Sequence, residues 1–240
     1  MICLAFDSTA KAASVALTDD EKLLAVYTID NGLTQSELLL PMAESILESV
    51  KLGFDDVDVF AAAVGPGSFT GVRIGTALVK GLAFGKNKPC VSVSTIEALA
   101  DNLRGLDGIY APVMDARRGQ VYTALFRMKD GVLVRLTPDE AISVGELGSR
   151  LRGFGGEAIY LSGDGYSSAR AALLDMGLKI EDTPELLRLE NAYSVARVAI
   201  RKHKNGESGS DLECNPTYLR VPQAERERLE RLERENKSEA

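Results

Sequence analysis

The order of the predicted elements indicates an α/β protein built from two similar halves. In residues 1–104, three apolar strands precede a helix, a strand of small apolar residues and a second helix. The same order, β-β-β-α-β-α, recurs in residues 105–204. Identity between the halves is too low to show a repeat from the letters. The duplicated order itself therefore predicts two lobes of one architecture.

Composition sets the limits of this prediction. The chain has 240 residues and is 45% hydrophobic, so it can bury a substantial core. Its formal net charge of −7 argues against a free-standing binder of tRNA or DNA, because phosphate contacts require clustered Lys and Arg. Three separated cysteines, no basic leader and no long apolar run predict a soluble, cytoplasmic protein with no membrane segment.

The single histidine, His203, excludes several kinds of catalytic site. One histidine cannot form an HExxH zinc helix or a His-x-x-x-His metal pair. His203 lies in the polar run 201–205, where we expect a solvated residue near a helix end rather than the base of a Ser-His-Asp triad.

The first lobe begins with three predicted strands, over 2–7, 14–18 and 23–29. The helix that follows, over 36–50, places one apolar set on a single face: Leu39, Met42, Ala43, Ile46, Leu47 and Val50. Pro41 in its second turn predicts a kink or a later start. Leu38 and Leu40 lie outside this set, which indicates either a partner surface or a helix buried on two sides.

The second lobe is predicted from a similar series of segments. Its strands are expected at 111–114, 120–128, 132–136 and 158–161. Its helices are expected at 144–151, 167–176 and 191–204. The segment 205–221 is expected to pack back on the first lobe. The charged run 222–240 is expected to form a frayed helix or a disordered tail.

The strongest local motif is the run Val-Gly-Pro-Gly-Ser-Phe-Thr-Gly-Val-Arg-Ile-Gly at 64–75, between a predicted strand and a predicted helix. Backbone N–H groups and the helix dipole favour an anion at such a place. The run is not a dinucleotide fingerprint, because Thr70 stands where a glycine is needed, and it lacks the lysine of a P-loop. Gly71 and Gly75, one turn apart, allow another backbone to approach closely. Two interpretations stay open, a packing turn and a ligand contact.

Asp7 and Asp115 each end the first strand of a lobe and precede a hairpin loop. Two such hairpins facing each other across a cleft are how actin-like phosphotransferases hold the phosphates of a Mg-nucleotide. The alternative is that each carboxylate caps the turn it begins, because one carboxylate per loop is weak support for a metal site.

The run at 64–75 resembles the signature of the TsaB (YeaZ-like) family. Four other segments are similar to that family in the same order: Phe-Asp-Ser-Thr at 6–9, Gln-Ser-Glu-Leu-Leu-Leu-Pro at 35–41, Met-Asp-Ala-Arg-Arg-Gly-Gln-Val-Tyr at 114–122 and Pro-Thr-Tyr-Leu-Arg at 216–220. The resemblance covers residues 1–221. It implies an actin/Hsp70-like (ASKHA) fold with two related lobes.

The resemblance also implies a part in making N6-threonylcarbamoyladenosine at position 37 of tRNAs that read ANN codons. In that system TsaC makes threonylcarbamoyl-adenylate and TsaD transfers the group to tRNA. TsaB is the non-catalytic paralogue that pairs with TsaD, and the ATPase TsaE joins the pair. TsaD-like proteins hold a metal through a His-x-x-x-His motif, whereas this chain has Gln35 and Leu39 in that region.

Several expectations about ligands and partners follow from the resemblance. ATP and Mg are expected to be used by the assembled complex, with no cofactor or metal held by this chain alone. We expect tRNA to be contacted only through the complex, and the isolated chain to form a homodimer. Asp115 and Arg117 are weaker candidates for a contact with a nucleotide or with TsaE at the junction of the complex.

The family's contact with TsaD, like its self-association, uses the first-lobe helices. The excess of apolar and small residues in these two helices is consistent with that use. We therefore expect the partner interface to include Leu38, Leu39, Met42, Phe69, Arg73, Ala77 and Lys80.

Three other functions are alternatives to this one. A stand-alone small-molecule kinase of the actin-like superfamily needs a first hairpin of the form Asp-x-Gly, whereas Ser8 and Thr9 follow Asp7 here. A metalloprotease needs histidine ligands that the sequence lacks. Serine-type peptide cleavage stays open, although the GxSxG elbow is not present.

Overall fold

Two β-sheets, one formed by each half of the chain, organise the structure. The computed structural model describes residues 1–32 and 34–220. Within that part of the chain, helices pack on the faces of both sheets, which confirms the predicted α/β class.

The first sheet has the strand order β3-β2-β1-β4-β5. Its strands are β1 (Ile2–Asp7), β2 (Ala13–Asp19), β3 (Lys22–Ile29), β4 (Val59–Ala63) and β5 (Cys90–Val93). β1 pairs antiparallel with β2 and parallel with β4, which in turn pairs parallel with β5. Parallel pairs need crossovers, and α1 (Gln35–Ser49) and α2 (Phe69–Ala83) lie within them. The carboxyl ends of β1 and β4 consequently meet at one edge of the sheet.

Helix α1 buries the face that its periodicity predicts. Leu39, Met42, Ala43, Ile46 and Leu47 are buried in a core that they share with α2 and the first sheet. The helix starts at Gln35 and includes Pro41, so the alternative of a later start is wrong. Pro41 is exposed, and water can therefore bind the carbonyl that its ring leaves without a helical donor.

The second sheet is more irregular than the first. Its strands are β6 (Gly108–Asp115), β7 (Gln120–Thr123), β8 (Phe126–Lys129), β9 (Val132–Arg135), β10 (Glu140–Ser143) and β11 (Ile159–Ser162). The single strand predicted over 120–128 is divided into β7 and β8, which pair with different parts of β6. The break falls at Leu125, whose N–H donates to the Thr137 hydroxyl (2.9 Å) instead of to a strand. β10 was not predicted.

The remaining helices are α3 (Thr95–Asn102), α4 (Val144–Leu151), α5 (Tyr166–Asp175), α6 (Glu185–Arg188) and α7 (Ala192–Lys204). The Ser94 hydroxyl accepts the Glu97 N–H at the start of α3 (3.2 Å), as the sequence predicts. α4 and α5 pack in the core of the second lobe, and α3 lies between the two halves of the chain.

Helix α7 packs on the first sheet, although residues 192–204 fall within the segment predicted for the second lobe. Its apolar side chains, among them Val195, Ala199 and Ile200, are buried against small residues of β1, β4 and β5. α1 and α2 cover the opposite face of these strands. The strands read as continuous apolar runs because both of their faces are buried.

The chain after α7 returns along the first lobe. Cys90 and Gly209 exchange two backbone hydrogen bonds of 2.9 Å, and the Thr217 N–H donates to the Val64 carbonyl (2.7 Å). The tail predicted at 222–240 lies outside the described residues. In the part of the chain that is described, no helix is both long and apolar enough to cross a membrane.

Candidate functional site: the interlobe cleft and the first-lobe helices

Segments far apart in the sequence line one cavity between the lobes. Its volume is about 620 Å³, within the usual range of small-molecule sites. The walls include residues 9–11, 66–70, 114–117, Asp164 and 217–220. We refer to this cavity as the interlobe cleft.

The glycine-rich turn at the cleft is packed tightly against the β1–β2 hairpin. A Cβ added at Gly67 would lie 2.5 Å from the Thr9 carbonyl oxygen, and one at Gly71 would overlap the Ser8 carbonyl. The Ser68 N–H donates to the Thr9 carbonyl (2.6 Å), and the Ser8 hydroxyl donates to the Gly71 carbonyl (2.9 Å). The packing interpretation of the 64–75 motif is therefore supported. The same close approach explains why glycine occupies these positions.

Ser68 and Thr70 are both residue types that cap helices, and Ser68 is the cap of α2. Its hydroxyl accepts the Gly71 N–H (3.2 Å) and caps the helix. Thr70, the other candidate cap, lies inside the helix and lines the interlobe cleft.

Asp7 is buried at the end of β1 and caps its own turn. Its carboxylate accepts both the backbone N–H (2.9 Å) and the hydroxyl (2.6 Å) of Thr9. Burial raises the pKa of Asp7 to about 6, against the lowering effect of these two hydrogen bonds. This is the turn-capping role that the sequence left as one of two possibilities.

Asp115 occupies the equivalent place at the end of β6, and it is exposed. Its carboxylate accepts the Arg117 N–H (2.7 Å), while its own N–H donates to Asp164 (2.9 Å). Arg117 and Arg118 both adopt positive φ angles, 62° and 56°, in the hairpin loop that follows. The structure therefore brings Asp115 and Arg117 together in the wall of the interlobe cleft.

Two contacts hold other parts of the cleft wall in place. The Arg220 Nη1 donates to the Ala116 carbonyl (2.6 Å) and so links the C-terminal segment to the second lobe. The Gln35 amide donates to the Ala10 carbonyl (2.9 Å) and holds the first hairpin. Gln35 lies in the region where TsaD-like proteins have their His-x-x-x-His motif, and here it has a structural role.

Glu190 is a buried carboxyl group that the sequence analysis missed. Burial raises its pKa to about 8, and the nearby charges of Asp7 and Asp164 contribute to the same shift. The Asp164 N–H donates to Glu190 (3.3 Å), and burial raises the pKa of Asp164 as well. Glu190 stands directly before the N-cap of α7, and nothing in its neighbours indicates burial. Within residues 1–32 and 34–220, no such cluster has an arrangement that could hold a metal ion.

The structure divides the predicted partner-interface residues into three groups. Leu39 and Met42 are buried in the first-lobe core, so placing them on a partner surface is a mistake. Their assignment followed from the resemblance to the family, although the apolar period of α1 places both on its core face. Leu38 is half-buried against the same core, and Ala77 is exposed.

Phe69, Arg73 and Lys80 bind the C-terminal segment of their own chain. The Arg73 guanidinium lies 3.7 Å from the centre of the Phe69 ring, and its Nε donates to the Tyr218 hydroxyl (2.8 Å). Lys80 donates to the Asn215 side chain (2.8 Å). These three residues remain at the surface, but part of each is occupied by this segment.

Helices α1 and α2 lie side by side, and we name their outward surface the helical face. It includes Ala77 and Gly81 together with two exposed apolar side chains that the prediction omitted, Leu40 and Phe84. Phe84 is 76% exposed at the C-terminal end of α2. Small residues in the middle of such a surface allow another helix to approach closely.

Comparison with known proteins bears on what this site does. Residues 34–202 match the family model of TsaD, tRNA N6-adenosine threonylcarbamoyltransferase. The chain is 30% identical over 224 residues to the Escherichia coli tRNA threonylcarbamoyladenosine biosynthesis protein TsaB, covering 92% of this chain and 95% of that protein. The chain belongs to the TsaB family. It is also 37% identical over 146 residues to Bacillus subtilis TsaB, a match that spans 61% of this chain and 64% of that protein.

Solved structures support the fold of this TsaB-family chain. A Pseudomonas aeruginosa protein described as similar to peptidase YeaZ superposes with a TM-score of 0.77 at 24% identity, covering 91% of this chain and 99% of that one. A second structure, YeaZ from the same organism, gives a TM-score of 0.74 over the same shares. The predicted α/β class is confirmed, and the fold is that of these YeaZ structures.

Proposed function

We propose that this chain is the non-catalytic partner subunit of the complex that installs N6-threonylcarbamoyladenosine at position 37 of tRNAs reading ANN codons. In this proposal it pairs with TsaD, recruits TsaE and depends on TsaC for the activated group. The Escherichia coli relative, matched over 95% of its length, is named as a tRNA threonylcarbamoyladenosine biosynthesis protein. The family model that matches this chain is that of the transferase TsaD. ATP and Mg are used by the assembly, and tRNA is reached through it.

The main observation that supports this proposal is the composition of the helical face. It combines exposed apolar side chains, Leu40 at 38% and Phe84 at 76%, with small residues at Ala77 and Gly81. Small positions allow close packing of helix backbones, and the apolar positions gain free energy when a partner covers them. In the absence of TsaD, a second copy of the chain would cover the same face as a homodimer.

The first hairpin of the interlobe cleft supports a structural role for this chain. The turn at 64–75 packs against Ser8 and Thr9. Asp7 Oδ1 accepts both hydrogen bonds from Thr9, and Asp7 Oδ2 is buried without a hydrogen-bond partner among the described residues. These groups therefore stabilise the lobe rather than present themselves to a substrate.

The experiment that tests the pairing is co-purification with TsaD. We expect Leu40→Asp combined with Ala77→Asp to abolish it, because two buried charges would be placed in the interface. The matched control is Val132→Asp with Val134→Asp, on exposed apolar positions of β9 at 61% and 50%. Retained pairing in the helical-face variant, with both variants melting cooperatively, would move the interface elsewhere.

A second candidate function is a stand-alone small-molecule kinase, favoured by the volume of the interlobe cleft and by Asp115 and Arg117 in its wall. Calorimetry of the isolated chain with ATP separates the two candidates, since micromolar binding with product turnover belongs only to the kinase. Within the complex, Asp115 and Arg117 would instead contact a nucleotide or TsaE. Unchanged ATPase activity of the complex in an Asp115→Ala, Arg117→Ala variant would contradict that role.

A further inference from the structure

Helix α7 and the end of α3 carry an unusual concentration of positive charge. α7 contains four Lys or Arg residues and no Asp or Glu, in a chain whose net charge is −7. Arg104, just after α3, lies beside them because it shares a carboxylate with α7. We name this group the arginine patch: Arg104, Arg197, Arg201, Lys202 and Lys204.

Three guanidinium groups of the patch surround one buried carboxylate. Asp101 is fully buried, and its oxygens lie 2.7 Å from both Arg197 Nε and Arg201 Nη2 and 3.3 Å from Arg104 Nε. One negative charge therefore faces three positive charges. The excess cannot be neutralised by Asp101 alone.

The flanking lysines leave this excess in place. Lys204 pairs with Asp20 at 2.9 Å, and Lys202 lies 3.9 Å from Glu207. Counting Asp101, three carboxylates face five cations, so two positive charges remain. Arg201 Nη1 is buried and has no hydrogen-bond acceptor among the described residues, so it adds to the charge of the patch but not to its exposed donors.

The guanidinium groups are held in fixed orientations. Arg197 donates to the Asp101 carbonyl (2.8 Å) and to the Ser194 hydroxyl (3.1 Å), and its guanidinium lies 4.6 Å from the centre of the Tyr193 ring. An ordered guanidinium loses little conformational entropy when it binds, and its planar donors match phosphate oxygens. Arg104 is exposed, so its remaining donors face solvent.

We propose that the arginine patch binds phosphate groups of a tRNA backbone when the complex holds its substrate. The proposal rests on the proposed function for the presence of tRNA. It adds a direct contact from this chain, which its overall charge alone would not indicate. Fixed cations with an uncompensated excess bind RNA phosphates with little dependence on sequence.

The test measures tRNA binding by the purified complex with TsaD, using fluorescence anisotropy over a range of salt concentrations. We expect Arg104→Glu to weaken binding roughly three- to tenfold at low salt and to reduce the slope of log K against log salt by about one. The matched control is Lys86→Glu, which changes the net charge equally at an exposed position paired with Asp55. Arg104→Ala, which adds no charge beside Asp101, serves if the reversal impairs folding.

Each outcome decides the proposal. An equal loss in the Lys86 control, or no loss in either Arg104 variant, overturns it. Competition by inorganic pyrophosphate without any effect of Arg104 on tRNA binding would make the patch a small-anion site and overturn it too. If the complex with TsaD does not form, the proposed function fails. In that case, tRNA binding by the Arg104 and Lys86 variants of the chain alone, measured at low salt, still decides whether the arginine patch contacts tRNA.

Discussion

The two hairpins that face each other across the interlobe cleft occupy equivalent places in the two lobes but have different environments. Asp7 ends β1 in the interior, with its carboxylate occupied by Thr9 and its pKa raised to about 6 by burial. Asp115 ends β6 at the surface, followed by two arginines in left-handed conformation.

The difference follows from what packs on each hairpin. The glycine-rich turn lies directly on Ser8 and Thr9 and excludes solvent from the first hairpin. The second hairpin is held at its edge by Arg220 and keeps Arg117 in the cavity wall. One hairpin therefore contributes to stability, while its counterpart stays accessible for a contact.

The largest effect is expected from breaking the close packing of the first hairpin. Gly71→Ala places a methyl group against the Ser8 carbonyl, and we expect it to reduce the free energy of unfolding by about 3 kcal/mol. Gly81→Ala, in the same helix but with open space around it, should instead add roughly 0.5–1 kcal/mol. Urea unfolding of both variants measures the contrast, which equal effects would contradict.

A smaller effect is expected from the carboxyl groups buried behind the first hairpin. The folded-state pKa of Glu190 is raised from 4.5 to about 8, so the protonated side chain is favoured in the folded protein. The stability it contributes is complete below pH 4.5 and is lost as the pH rises through 8. Glu190→Gln should therefore be more stable than the parent chain at pH 9, by on the order of 2 kcal/mol.

Thermal unfolding between pH 4 and pH 9 measures this difference. Asp7→Asn provides the comparison, because the pKa of Asp7 is raised only to about 6 and its advantage should be smaller and appear at lower pH. Superimposable pH profiles of the Glu190→Gln variant and the parent chain would contradict the assignment of a buried, protonated carboxyl.

The smallest effect is expected at the second hairpin. Arg118 has a φ of 56°, which a residue with a Cβ adopts at a cost, so Arg118→Gly should increase the free energy of unfolding by about 0.5–1 kcal/mol. Arg118→Ala removes the same side chain but keeps the strain, and it is the control in a denaturant titration. A gain that Ala and Gly share would point to charge rather than backbone strain.

Sequence patterns predicted best where local and tertiary requirements agree. The apolar period of α1 gave its buried face, and the Ser94 and Glu97 spacing gave the cap of α3. The division of 120–128 depends on Leu125 bonding to the distant Thr137, so no local period could indicate it. β10 is four residues long, and Ile142 is its only buried side chain. One buried residue is too few to show the alternating period of a strand.

The candidate sites show the same limit. The apolar period of α1 separated buried Leu39 and Met42 from exposed Leu40, but the predicted interface included the two buried residues and omitted Leu40. Glu190 was missed because its burial results from the approach of Asp7 and Asp164, which come from other elements. Asp101 likewise acquires Arg197 and Arg201 as neighbours only when α3 packs on α7.

The sequence by itself determined the α/β class and, through its ordered motifs, membership of the TsaB family, whereas the predicted β-β-β-α-β-α order of the second half is wrong because five strands precede α4. These properties depend on local periodicity and on letters at short spacing. Only the tertiary structure decided that α7 covers the first sheet, that the glycine turn packs on Ser8 and Thr9, and that Arg197 and Arg201 share the carboxylate of Asp101. Each of these joins residues distant along the chain, and its free energy exists only once the two sheets and their helices have packed.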